Sequence, residues 1–250
     1  MGSALRRRRA AACSVALVTP FALAACLPGS GDPERTSGSS SSSSSSSSTT
    51  TETFDEPQQR ELTTAEAKAA LPTRADMPDP TWKVDGSTYS DSPVTYEPDE
   101  CAAVELNTRD ARTFEEKNRR VDAAARFSRS DADGDGIIAV FVESYAQPYP
   151  LAYFDEAGEE LADCGEFSRT QSTFTSESTA TGISLPLLGE RSYGVRIGSH
   201  TFDHRTDRLY VRSGHNVITV MRQSSKDDPY DERLLEKYAR AVLADLEKKS

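Results

Sequence analysis

From about residue 61 onward the apolar positions repeat at two spacings, and each spacing predicts an element. Thr63-Thr64-Ala65-Glu66 is a capping-box pattern that opens a short helix through Leu71, which Pro72 ends. The turn that follows, Asp76 to Thr81, is stiffened by Pro78 and Pro80 and delivers Trp82 as a core anchor. A charged stretch from Thr108 to Arg119 predicts a second helix, and Ala123 to Ser130 a semi-polar strand. Ile137 to Tyr145 is apolar on both faces and β-branched, as a central strand is. Leu151, Phe154, Gly158 and Leu161 recur at helical spacing, with Cys164 three residues further on the same stripe.

Downstream, Phe167 to Thr179 is expected to form one long polar strand at a sheet edge. Tyr193, Val195 and Ile197 alternate with glycines and Arg196, as in a half-buried strand. Leu209–Arg212 and Val217–Arg222 are joined by Ser213-Gly214-His215-Asn216, a hairpin turn, and Leu234, Leu235, Tyr238, Val242 and Leu246 line one face of a last helix. Strands with turn-length connections pair antiparallel. The expected fold is therefore α+β: a single domain with a curved antiparallel sheet, flanking helices and one disulfide.

The first 60 residues follow neither spacing. Arg6 to Arg9 precede an apolar run from Ala10 to Ala25 that ends Leu23-Ala24-Ala25-Cys26, the pattern of a bacterial lipoprotein leader. Residues 1–25 are thus expected to be removed, with Cys26 the lipidation site. Two acyl chains suffice for stable anchoring, and the run is too short to span a bilayer. Leu27 to Arg60 has few apolar side chains and includes the serine run Ser39 to Ser48, so residues 26–60 are expected to form the lipidated cysteine and a disordered tether, leaving 61–250 as the domain.

Of the 250 residues, 29 are Lys or Arg and 40 are Asp or Glu. Four of the positive charges lie in the leader, and no basic stripe remains to neutralise phosphates, which argues against nucleic acid as a partner. Cys13 leaves with the leader. Cys101 and Cys164 are then the two thiols of an exported domain, and an even count in an oxidising compartment predicts that they pair.

Candidate chemistry is sparse. Asp131, Asp133 and Asp135, with Gly136, reproduce the first half of a calcium loop, but Val142 stands where a bidentate Glu belongs, so the segment is expected to be a hairpin turn and at best a weak metal site. His200 and His204, with Asp203 and Asp207, are expected to decorate a polar turn, and His215 to be solvated beside Gly214. No nucleophile elbow, zinc-binding helix, phosphate loop or pair of carboxylates in an apolar setting stands out, so neither catalysis nor a cofactor is expected.

Several short segments carry a resemblance: Asp76-Met77-Pro78 before Trp82, Pro98-Asp99-Glu100-Cys101-Ala102, Glu143-Ser144-Tyr145, Leu161-Ala162-Asp163-Cys164, Leu185-Pro186-Leu187-Leu188-Gly189-Glu190, and Val211 to Ile218 around the hairpin turn. Over Leu62 to Leu246 the chain resembles the PknH-like extracellular sensor domains of actinobacterial lipoproteins and membrane kinases. A second disulfide common in that family is absent here, and no kinase domain or spanning helix precedes the segment. The resemblance implies an antiparallel sheet with flanking helices around a cleft that binds an extracellular ligand. The expected protein is a non-catalytic, lipid-anchored sensor or ligand-binding module on the outer face of a cell membrane. Its expected partners are that membrane and an unknown small molecule or envelope protein. The alternative is an interaction lipoprotein that docks an envelope protein, and a hydrolase with an unrecognised site is a third reading.

Overall fold

The capping box forms as its residue types require. Thr63 Oγ1 accepts the Glu66 N–H at 3.3 Å and a Glu66 carboxylate oxygen accepts the Thr63 N–H at 2.8 Å, so α1 (Thr64–Ala70) starts with two of its end donors satisfied. The structure, a computed structural model, describes residues 53–87, 92–131, 134–228 and 231–248. The leader, Cys26, the serine run and Asp133 lie outside them, and the side chains of Asp131 and Asp135 likewise.

After α1 come β1 (Lys83–Val84), β2 (Val94–Glu97), a 3-10 helix at Asp99–Glu105, α2 (Arg109–Asn118), β3 (Arg119–Asp131) and β4 (Gly134–Tyr145). Then follow α3 (Leu151–Glu160), β5 (Glu166–Gln171), β6 (Phe174–Gly182), β7 (Arg191–Ser199), β8 (His204–Ser213), β9 (Asn216–Ser225) and α4 (Glu232–Glu247). The strands form one antiparallel sheet in the order β1-β3-β4-β9-β8-β7-β6-β5-β2. This is the expected α+β architecture.

Strand period separates the two faces. Ala123, Val142, Ile218 and Val211 lie in one cross-strand row and, with Ile138, Val140, Val220 and Leu209, are buried beneath α1 and α4. Trp82 joins that core, 4 % exposed. On the opposite face Tyr210, Val217, Val195 and Phe167 pack against the 3-10 helix and α3. Cys101 and Cys164 tie these two helical segments together, with Cα atoms 5.4 Å apart. Both sulfurs belong to fully buried residues.

Phe167 to Thr179 is not one edge strand. It folds as β5 and β6, which lie inside the sheet, and the edges are β1 and β2. The turn between them passes through Ser172 at φ 56°, a left-handed conformation without the glycine or asparagine that would have marked it. Similarly, α3 stops at Glu160, one turn short of Cys164, and buries Phe154 and Ala157 while Gly158 is exposed.

The β8–β9 hairpin is more heavily bonded than its composition suggests. Gly214 takes φ 56°, and a Cβ there would stand 2.3 Å from the Gln59 carbonyl oxygen. His215 is half-buried and bonded rather than free in solvent: its backbone N–H donates to Gln59 O at 2.8 Å, Nδ1 lies 2.9 Å from Tyr145 O, and its ring meets Phe54 edge-on at 5.6 Å. Asn216 Nδ2 donates to the carbonyls of Gln58 and Arg60, each at 2.8 Å. Phe54 to Arg60, grouped with the tether by composition, is therefore bonded to the domain. Asp207 also departs from its expected place on a polar turn. It is fully buried in β8 and accepts Arg196 Nε at 2.6 Å.

Candidate functional site: a charged groove across the sheet

The helical layer of the 3-10 helix, α2 and α3 covers only part of its face, and the rest of that face is an open groove. Alternation decides which side chains line it. Arg126 of β3, Ala139 of β4, Met221 of β9 and Arg208 of β8 are consecutive partners in one row, so two arginines stand three strands apart, roughly 14 Å at the usual strand spacing. In the next row Ala124, Phe141, Thr219, Tyr210 and Tyr193 follow one another. Arg169 of β5 enters from the far side, paired in register with Tyr96 and Ser176.

Glu105, the last residue of the 3-10 helix, reaches between Arg169 and Arg208. Its side chain is 3 % exposed; Arg169 Nε donates to Oε1 at 3.1 Å and Arg208 Nη1 to Oε2. The Tyr210 hydroxyl caps the Glu105 carbonyl at 3.2 Å and accepts from Arg208 Nη1 at 3.2 Å. Burial alone would raise the carboxyl pKa, but Arg208 and Arg169 outweigh it and hold it below its ordinary value. One carboxylate serves two guanidiniums. Gln171 accepts a further Arg169 donor at 3.5 Å, and the remaining donors of Arg169 and Arg208 have no partner among the described residues.

The inverse arrangement stands further along. Arg119 Nη2 lies 2.6 Å from Glu115 and 3.0 Å from Glu143, so one guanidinium serves two carboxylates. Glu115 also accepts the Tyr149 hydroxyl at 3.1 Å. Burial pushes the Glu143 carboxyl up to about 7 despite Arg119, with Glu115 and Asp122 adding repulsion. Burial likewise raises Glu115, opposed by Arg119. The groove thus carries a cationic cluster and an anionic one on a single sheet face.

Beyond Arg169 and Arg208 the groove opens into a cavity of about 670 Å³, lined by Ser176, Ser178, Gln223, Ile197 and Met221 among others. Its mouth is aromatic. The rings of Phe174 and Phe202 lie 5.0 Å apart, 47 % and 40 % exposed, and His204 stacks on Phe202 at 5.2 Å. Burial and Lys226 lower the His204 pKa below its ordinary value, against a smaller opposing pull from Asp203.

None of these groove residues was nominated from the sequence as a site. The disulfide Cys101–Cys164 stands behind the groove wall, and no group of three or more potential metal ligands occurs among the described residues. The paired carboxylates missed from the sequence are Glu115 and Glu143, which come from α2 and β4 and meet only in the fold. A signal did exist. Glu105 and Glu143 are single charges set in the apolar runs Cys101–Leu106 and Ile137–Tyr145, where a charge is costly unless it has a partner.

No family model and no curated protein matches this sequence. The crystal structure of the extracellular domain of PknH from Mycobacterium tuberculosis is similar in fold, with a TM-score of 0.55 and 13 % identity, over 76 % of this chain and 100 % of that one. The chain has the PknH extracellular-domain fold. An uncharacterized protein from Mycobacterium smegmatis, the Rv0999 ortholog, aligns at TM-score 0.41 and 14 % identity over 73 % of this chain and 96 % of that one. Among the described residues no helix is long and apolar enough to cross a membrane.

Proposed function

We propose that this chain is an extracytoplasmic ligand-binding or sensor module, carried on the outer face of a membrane by acyl chains on Cys26, with the groove as its ligand site and no catalysis of its own. The observation that carries this reading is the cavity of about 670 Å³ beside a preformed, hydrogen-bonded arginine cluster, a size and a mixture of apolar walls with convergent polar groups that suit a small molecule. The likeness in fold to a domain that is extracellular in PknH supports the compartment, as does the leader pattern ending at Cys26.

Native mass spectrometry of the full chain recovered from its own membranes tests the reading. A small-molecule mass that is retained by wild type and lost with Phe174→Ala and Phe202→Ala together is expected. Retention of only a protein partner, unaffected by that double change, would favour an interaction lipoprotein instead. Separately, Cys26→Ala is expected to move the protein from the membrane fraction to the medium or to leave it unacylated.

A further inference from the structure

We propose that the groove selects a small organic anion, its carboxylate or phosphate held by the N–H donors of Arg169 and Arg208 that Glu105 leaves free, and its flat apolar body lying toward Phe174 and Phe202. This rests on the reading of the groove as a ligand site. It adds the ligand's charge and its orientation.

The charge follows from the pairing. Arg126 is matched by Asp85, with Arg126 Nε 2.8 Å from a carboxylate oxygen, and burial disfavours the charged form of His204. Arg169 and Arg208 share the single carboxylate of Glu105, which leaves one positive charge uncompensated in a part-buried setting. That surplus lies in a chain with 40 acidic residues against 29 basic ones, so a cationic spot at the groove floor runs against the overall charge. Both arginines keep N–H donors directed by a fixed carboxylate and, for Arg208, by the Tyr210 hydroxyl. A held guanidinium loses little entropy on binding an anion, and its planar donor array matches carboxylate or phosphate oxygens.

The orientation follows from the lining. Ile197, paired with Thr206 midway between Arg208 and His204, gives apolar ground toward the mouth, Met221 flanks Arg208 in its row, and the Phe174–Phe202 pair, with His204, supplies flat aromatic faces at the mouth. A ring laid on these faces covers two phenylalanines that are otherwise almost half exposed. The opposite direction is disfavoured, because the groove there passes Glu143 and Glu115, which repel an anion.

Calorimetric titration of the full chain with four probes tests the proposal: 1-naphthyl phosphate, 1-naphthoate, neutral 1-naphthol, and inorganic phosphate. At pH 8 both naphthyl anions are expected to bind at least tenfold more tightly than naphthol, and than phosphate, which has no ring. The stronger of the two tells whether the headgroup is phosphate or carboxylate. Arg169→Gln leaves Glu105 paired with Arg208 and is expected to weaken the anions about tenfold while changing naphthol less than twofold. Phe202→Ala, at an exposed position, is expected to weaken all three naphthyl compounds. Equal binding of anions and naphthol, or anion binding indifferent to Arg169→Gln, would overturn the anion selectivity while leaving the groove a ligand site. No binding of any naphthyl probe would overturn the proposal, and binding indifferent to Phe202→Ala would overturn the orientation. Circular dichroism and thermal melts of each variant separate loss of binding from loss of fold.

Discussion

Glu143 and Arg119 are joined at 3.0 Å on the groove face, yet the carboxyl of Glu143 is pushed up to about 7. Burial is the larger influence, and the single guanidinium is shared with Glu115. An acid whose pKa is raised on folding binds its proton more tightly in the folded state, so its effect on stability is most favourable below the unfolded value near 4.5 and is lost as pH rises through about 7. Wild type is therefore expected to lose stability between pH 5 and pH 7 through this group. Glu143→Gln should flatten that slope and melt higher than wild type at pH 7.5. Urea unfolding at several pH values checks this, and a slope unchanged by the substitution would remove Glu143 as its source. Glu115, also raised, contributes with the same sign, so a residual slope is expected in the variant.

Gly214 is the point where the β8–β9 turn meets the segment before α1. Gly214→Ala is expected to cost roughly 2 kcal/mol or more, because alanine must adopt a left-handed conformation and its methyl would press on the Gln59 carbonyl at 2.3 Å. Deleting residues 53–59 from the Gly214→Ala chain should recover part of the loss due to contact and leave the part due to backbone conformation. Denaturant midpoints of the four chains separate the two.

The Cys101–Cys164 bond closes a separation of 63 residues and fixes the 3-10 helix to the turn after α3. On the loop-entropy account the double change to alanine is expected to cost about 4 kcal/mol. Because Glu105 ends that 3-10 helix, the reduced protein should also lose groove binding before it loses the α1–α4 side of the sheet. Hydrogen exchange of β5 and β6 against β3 and β4 in reduced protein measures this, and uniform loosening would contradict it.

Elements with a strong local signal were legible in the sequence. The Thr63–Glu66 box, the apolar strand to Tyr145, the Gly214 turn and the stripe of α4 each rest on neighbours in the chain, and each formed where its pattern indicated. The β5–β6 turn was hidden because Ser172 takes its left-handed φ without a residue type that announces it. His215 and Asp207 looked like surface groups because their partners, Gln59 and Arg196, lie 156 and 11 residues away and carry no pattern of their own. The groove was hidden for the same reason. Glu105, Arg169 and Arg208 come from a 3-10 helix and two strands that are not neighbours in the sheet, and they meet only in the fold.

Glu105→Ala tests whether that cluster is also structural. Removing one partner of a buried ion pair leaves the other charge without compensation, and here two guanidiniums would be left facing each other across a methyl group. Each arginine is 23 % exposed and can recover some water, so the cost is expected near the lower end of the range for buried pairs, about 3 kcal/mol. Adding Arg169→Met should restore part of it, because it removes one of the two repelling charges and supplies apolar volume beside Tyr96. Urea midpoints of the single and double variants decide the matter. If the two losses simply add, the cluster is held by packing around it, and the shared carboxylate is not what keeps the arginines in the groove.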